Sequence, residues 1–192
     1  MAVKTFTTGE VLTAADTNTY LNNGGLVFVK QVTVGSAVSS VDVTSCFSST
    51  YINYRVLFNN IGGLTSGMNM GVRLLSGTTA TTTGYYGILM YASVTVSSAY
   101  AGATDNNGSS FSFVGSIGNG NVCQSGFDIG SPYETKQTNI GPSNFVATVG
   151  KTDIGYYIGG LYNATSYDGF RVLPNVGTMT GGTITVYGYR MG

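Results

Sequence analysis

The 192-residue chain has no histidine and no tryptophan, only two cysteines, and just 8% charged residues. Without histidine, Ser-His-Asp and Cys-His catalysis, His-ligated zinc and the usual general base near neutral pH are excluded. Cys46 and Cys123 lie far apart and outside any C-x-x-C pattern, so neither a disulfide framework nor a metal knuckle is signalled. Free, buried thiols are expected. An ordinary soluble domain carries about 25% charged residues. Here eight Lys and Arg balance eight Asp and Glu to zero net charge, and the basic residues are scattered singly. No basic stripe exists to release counterions from a phosphate backbone, which argues against a nucleic-acid partner. The longest apolar stretch, Gly87-Ile88-Leu89-Met90-Tyr91-Ala92, is far below the roughly 18 residues of a membrane span. The opening MAVKTFTTGEVL turns polar at once, so no secretory signal is expected.

What is present is Gly, Ser, Thr, Asn and Tyr. Solubility then rests on hydroxyls, amides and backbone, a surface that guards poorly against self-association. Beyond residue 25, Gly-containing pairs punctuate short runs rich in Val, Ile, Tyr, Phe and Thr, which is strand-and-turn spelling. Strands are expected near 26–34, 38–43, 51–59, 68–75, 86–96, 110–117, 123–129, 144–149, 154–162, 169–173 and 183–190. Most alternate, as in Thr183-Ile184-Thr185-Val186-Tyr187. No helical segments lie between them to make parallel crossovers, so the expected fold is all-β, an antiparallel jelly-roll-like β-sandwich with a short N-terminal helix. The Gly/Ser/Asn-rich stretch 97–110 reads as an exposed loop. Residues 1–25 form a separate N-terminal segment and 26–192 the sandwich.

Two segments share the pattern Y-x-x-aromatic-R-V-L, residues 51–57 and 167–173. They read as equivalent strand entries in the two halves of the sandwich, each with an aromatic in the turn, a second in the core and an Arg on the outer face, or as chance in a Tyr- and Val-rich composition. Gly150-Lys151-Thr152 mimics the end of a phosphate-binding loop. The motif needs Gly at 145, where Phe145 stands in an apparent strand, so a hairpin turn is the reading. Paired carboxylates for glycoside hydrolysis would have to come from Asp42, Asp105, Asp128, Glu134, Asp153 and Asp168, whose mutual placement the sequence leaves open. No enzyme activity, cofactor or metal is expected. Tyrosine, with 14 copies, offers a flat face for a sugar or a partner and a hydroxyl for hydrogen bonding. Candidate saccharide contacts near turns are Tyr85, Tyr86, Tyr100 and Tyr133, with Asp105, Asn106 and Asn107 as groups able to bond sugar hydroxyls. Cross-strand pairing or a subunit seam is the alternative use of such tyrosines.

The opening helix has its stops written in. Thr13 suits the N-cap, Asp16 stands three residues on as in a capping box, and Asn22-Asn23-Gly24-Gly25 ends it. Eight or nine residues between these stops are too few for a helix to stand alone, since isolated helices below about 12–15 residues are marginal. A docking element is therefore expected, with Val11, Leu12, Ala15, Tyr20 and Leu21 as its apolar contacts. Packing on its own sandwich is the alternative.

The string Thr5-Phe6-Thr7-Thr8-Gly9-Glu10-Val11-Leu12-Thr13-Ala14-Ala15-Asp16-Thr17-Asn18-Thr19-Tyr20-Leu21 resembles the F-T-x-G-E-V-L-T-A-A-x-x-N opening of tailed-bacteriophage virion proteins, especially tail-fibre and cyanophage structural proteins. More loosely, the likeness extends through Tyr51-x-x-Tyr54-Arg55 to the ending 184–190. It implies a virion structural protein made in the host cytoplasm, a homotrimeric tail-fibre or short-fibre subunit joined to other virion proteins of tail or capsid by its N-terminus. Host surface polysaccharide is the implied ligand. A capsid decoration protein and a stand-alone carbohydrate-binding module are the alternatives.

Overall fold

The computed structural model describes residues 5, 7–16, 25–63, 65, 67–93, 100–117, 122–148 and 152–190. A short helical turn, α1 (Ala14–Asp16), precedes the strands β1 (Leu26–Thr33), β2 (Val41–Val43), β3 (Asn53–Gly63), β4 (Met68–Ser76), β5 (Thr79–Ala80), β6 (Tyr85–Ser93) and β7 (Tyr100–Gly108). There follow β8 (Phe111–Ile117), β9 (Val122–Gly130), β10 (Thr138–Thr148), β11 (Thr152–Leu161), β12 (Gly169–Pro174), β13 (Met179–Thr180) and β14 (Thr183–Tyr189). Among the described residues these make two antiparallel sheets. The large one runs β1-β14-β3-β9-β10-β11-β6-β7, with β13 beside β3, and the small one runs β2-β12-β4-β5, with β8 beside β4. The chain is thus all-β, an antiparallel jelly-roll-like sandwich with a very short N-terminal helix.

Period-two alternation sorts the side chains. In β3, Tyr54, Val56 and Phe58 are buried while their neighbours turn outward. Together with Phe127 and Ile129 of β9 they meet Met70, Val72 and Leu74 of β4, and Phe170 and Val172 of β12. Aromatic edges meet faces inside this core, Phe58 against Phe127 at 5.3 Å and Tyr85 against Phe111 at 4.8 Å between ring centroids. Such pairs contribute about 0.5–1.5 kcal/mol beyond area burial.

The repeated Y-x-x-aromatic-R-V-L segments lie in opposite sheets, on β3 and β12. In both, the second aromatic (Tyr54, Phe170) is buried and the Arg faces outward against an Asp on the neighbouring strand. Arg55 is opposite Asp128 in β9, with Nη1 3.2 Å from Oδ2. Arg171 is opposite Asp42 in β2 and donates twice, Nε to Oδ1 at 2.6 Å and Nη2 to Oδ2 at 2.7 Å. The fork also offsets a like-charge neighbour, because Arg73 stands opposite Arg171 on the other side and turns to the Ser109 carbonyl instead. That two-halves reading of the repeat agrees with the structure.

Three expectations change. Within the stretch 97–110, expected as a loop, Tyr100–Gly108 forms the edge strand β7 paired with β6, and 97–99 lie outside the described residues. Main-chain hydrogen bonds are indifferent to side chains, and an edge strand with an open outer face needs no apolar alternation. The strand expected at 38–43 is shortened to Val41–Val43, with Val38 reduced to a bridge to Met179. The strand expected at 144–149 begins six residues earlier, at Thr138. Thr148 pairs with Thr152, so β10 and β11 are hairpin neighbours; of the turn expected over 150–153, Thr152 and Asp153 belong to β11, and residues 149–151 lie outside the described residues.

Thr138 is fully buried and its hydroxyl has no hydrogen-bond partner among the described residues. A buried, unpaired hydroxyl costs about 1–3 kcal/mol. Thr138→Val, the same shape without the hydroxyl, is expected to raise stability by about 1 kcal/mol, read as a higher urea midpoint with unchanged slope. A lower midpoint would mean that the hydroxyl is satisfied.

Candidate functional site

The outward face of the large sheet divides into two halves of different chemistry. In β6, Ile88 and Met90 project outward beside Ile154, Tyr156 and Ile158 of β11, with Met90 directly opposite Tyr156 and Ile88 opposite Ile158. These side chains are 45–59% exposed. The strands are apolar on both faces, because the alternate residues Tyr85, Leu89, Tyr157 and Leu161 are buried in the core. β6 contains no charged residue, and β11 only Asp153 near its start. Isolated apolar residues are ordinary on a surface, whereas a contiguous patch of this kind marks an interaction site.

A second feature runs across the strands. Asn53 of β3 pairs with Gly130 of β9, Gly130 with Asn139 of β10, Asn139 with Gly160 of β11, and Gly160 with Tyr86 of β6. At the other end Tyr189 of β14 follows Gly188, the partner of Tyr54, and so continues the row. The glycines supply no side chain, so the row is a furrow floored by backbone. One dish of about 370 Å³ lies over Gly130 and Gly141, walled by Asn53, Asp128, Asn139 and Tyr189. Its neighbour, about 430 Å³, lies between Asn139, Gln137, Tyr86 and Tyr162. They share Asn139 and Ile140. A register shift in β10 between Ile140 and Ser143, and pairing of β10 with β9 over Asn139 and Ile140 only, give the first dish its room.

The groups along the furrow are held in place. The Tyr189 hydroxyl donates to Asp128 Oδ1 at 2.7 Å and Arg55 to Oδ2 at 3.2 Å. Burial, then the bond to Asp128, push the Tyr189 phenol up from its usual value, keeping the hydroxyl protonated. Gln137 Nε2 donates to Asn139 Oδ1 at 2.7 Å. Tyr86 and Tyr162 meet edge to face at 5.1 Å. A Cβ on Gly160 would stand 2.8 Å from Gln137 Nε2, the movable end of an exposed side chain, so the bare glycine leaves Gln137 its place beside Asn139.

The candidate saccharide contacts do not converge. Tyr86 lies at the end of the furrow. Tyr85 is fully buried, its hydroxyl accepting from the Leu74 amide at 2.8 Å and donating to the Thr81 carbonyl at 3.1 Å, which removes it from any surface site. Asp105 turns to its own sandwich: Oδ2 accepts from the Tyr157 hydroxyl at 2.6 Å and the Ser112 amide at 3.0 Å, Oδ1 from the Ser112 hydroxyl at 2.7 Å. Asn107, with φ at 54°, accepts from the Gly84 amide, so it fastens the start of β6, while Asn106 is exposed. Tyr100 begins β7, and its side chain lies outside the described residues. Tyr133 is exposed. Asp42 and Asp128 are bound to arginines, and Glu134 pairs with Lys136. No group of three or more metal-ligating side chains occurs among the described residues.

At the N-terminus the capping box forms as expected. The Asp16 amide donates to Thr13 Oγ1 at 3.1 Å, and the Thr13 amide donates back to Asp16 Oδ2 at 3.1 Å. Val11 and Leu12 are 78% and 48% exposed, and Ala15 is exposed; Tyr20 and Leu21 lie outside the described residues. Asn53, Gly130, Asn139, Gly160, Tyr162 and Tyr189 were not recognisable in the sequence. They are scattered over 137 residues of chain (Asn53 to Tyr189) and meet only through register.

Both cysteines are free and buried. Burial pushes the thiols of Cys46 and Cys123 up to about 12. Neutral in the folded and unfolded chain alike below about pH 9, they leave stability unaffected there. Between about 9 and 12 only the unfolded chain ionises, so stability falls as pH rises through that window. Native protein is expected to resist thiol-specific alkylation at pH 8 and to take up two equivalents once denatured. Rapid labelling of the native chain would show an opening at one of these sites.

No protein-family model matches the chain, and no curated protein or solved structure is significantly similar to it.

Proposed function

We propose that the protein is a non-catalytic structural subunit of a virion, of tail-fibre or short-fibre type, that assembles with copies of itself as a trimer. The observation that carries the assembly is the uncharged apolar face of β6 and β11. Its five side chains, Ile88, Met90, Ile154, Tyr156 and Ile158, are each 45–59% exposed. Contiguous and uncharged, they make the apolar centre around which an interface of roughly 800 Å² per partner is built. A second copy is the occupant that best suits this face, because it brings an equally uncharged surface and leaves no unpaired charge to desolvate. In a three-fold arrangement the face lines the axis and each copy touches two others.

Attachment to the particle is assigned to the N-terminal segment. The resemblance of residues 5–21 to virion openings supports this, as does the exposure of Val11 and Leu12 on a capped turn too short to persist alone. The low charge and the two free thiols are compatible with a protein made in a cytoplasm and stabilised by its neighbours.

Light scattering at low micromolar concentration is expected to give a mass of three chains. Replacing Ile88 and Tyr156 together by Lys sets buried charges against the partner at a cost of several kcal/mol, and should yield a folded single chain. A monomeric parent protein, or an unchanged mass in the double variant, would contradict the reading.

A further inference from the structure

We propose that the transverse furrow across the large sheet is a binding site for a neutral, linear oligosaccharide. The inference does not rest on the assembly reading, since every group of the furrow belongs to one chain.

The furrow crosses five strand spacings from Tyr189 on β14 to Tyr86 on β6, roughly 24 Å at about 4.8 Å per strand. That is the reach of a short sugar chain rather than a single ring. Aromatic groups stand at its two ends, Tyr189 at one and the Tyr86–Tyr162 pair at the other. The apolar face of a pyranose stacks on such rings. Between them Asn53 and Asn139 face the furrow. Each carboxamide donates and accepts, as a sugar hydroxyl does, so each can match a vicinal hydroxyl pair. The Asn53 side chain has no partner among the described residues, and Asn139 keeps its NH₂ donors while its oxygen is bonded to Gln137.

Glycine shapes the floor. Gly130 and Gly141 leave backbone where side chains would otherwise fill the dish, and a Cβ on either would meet only ordinary contacts, 3.5 Å from Asn53 Oδ1 and 3.4 Å from Asp128 Cβ. Folding therefore does not demand glycine at these two positions for space, and neither is a positive-φ residue. An open furrow is what their bareness provides.

Charge selects the class. Among the described residues that line the furrow the one carboxylate, Asp128, is bonded at both oxygens, by Tyr189 and by Arg55. The Arg55 charge is spent on that pair. Among the described residues no other cation lines the furrow to attract a strongly anionic polymer, and no cluster of acidic side chains is there to hold a metal, so recognition proceeds by stacking and neutral hydrogen bonds. Contacts of this kind are individually weak, and several copies acting together raise the overall avidity.

Titration calorimetry of the intact protein against maltopentaose, cellopentaose, laminaripentaose, mannopentaose and chitopentaose tests the site. Millimolar or tighter binding of at least one is expected. Gly130→Leu, which fills the furrow, and Asn139→Ala, a truncation at an exposed position, should each weaken it by about tenfold or more. Native mass and circular dichroism should be unchanged. Absence of binding by all five sugars at millimolar concentration overturns the inference. So does binding that persists undiminished in both folded variants. A changed native mass with sugar binding intact would instead count against the placement of the assembly face.

Discussion

The antiparallel register of the large sheet is the constraint on which this molecule depends. A strand sends alternate residues to opposite faces, so a slip of one residue in any pair would exchange core for surface along the whole strand. What holds the register is the inner face. Tyr54, Val56 and Phe58 of β3, Phe127 and Ile129 of β9, and Ile184 and Val186 of β14 are all buried against the small sheet. Two outward Arg–Asp pairs, one in each sheet, lie at the same alignment. Exposed as they are, each adds no more than about 1 kcal/mol. Their contribution is to disfavour misalignment rather than to drive folding.

Once the inner face is fixed, the outer face follows without further choice. The same alignment that buries Tyr157 and Leu89 sets Met90 against Tyr156 on the far side, and the one that buries Ile129 sets Gly130 between Asn53 and Asn139. The apolar half and the furrowed half are products of a single register. They also answer the low charge of the chain in different ways. Along β6 and β11 the sheet presents hydrocarbon that water solvates poorly. Along the furrow it presents carboxamides, hydroxyls and bare peptide, which can exchange water for sugar at little desolvation cost.

Much of the fold was legible in the sequence because strand spelling is local. Alternation in Thr183–Tyr189 and the Gly-bounded run Met68–Leu75 needed no partner to be read, and the Thr13–Asp16 box follows from a spacing of three. The edge strand β7 was not legible, since Ala101–Gly108 gains its structure from β6 and not from its own side chains. The site was less legible still. Tyr86 was recognisable as a ring near a turn, but Tyr85 next to it has the opposite fate, and only the parity of β6 decides between them. Asp105 looked like a surface carboxylate in a polar loop. It is instead the acceptor that ties β7 to Ser112 and Tyr157. Asn53, Gly130, Asn139 and Gly160 are ordinary residues individually, and their alignment is a property of pairing across four strands.

The most direct test of the central claim, that the outer face of β6 and β11 is covered by a second copy, is hydroxyl-radical footprinting over a range of protein concentrations. Met90 and Tyr156 should become protected as concentration rises, while Phe28 on β1 and Tyr133, both exposed and remote in strand order or on a connection, keep constant reactivity. Equal reactivity of Met90 and Tyr156 at every concentration would contradict the account.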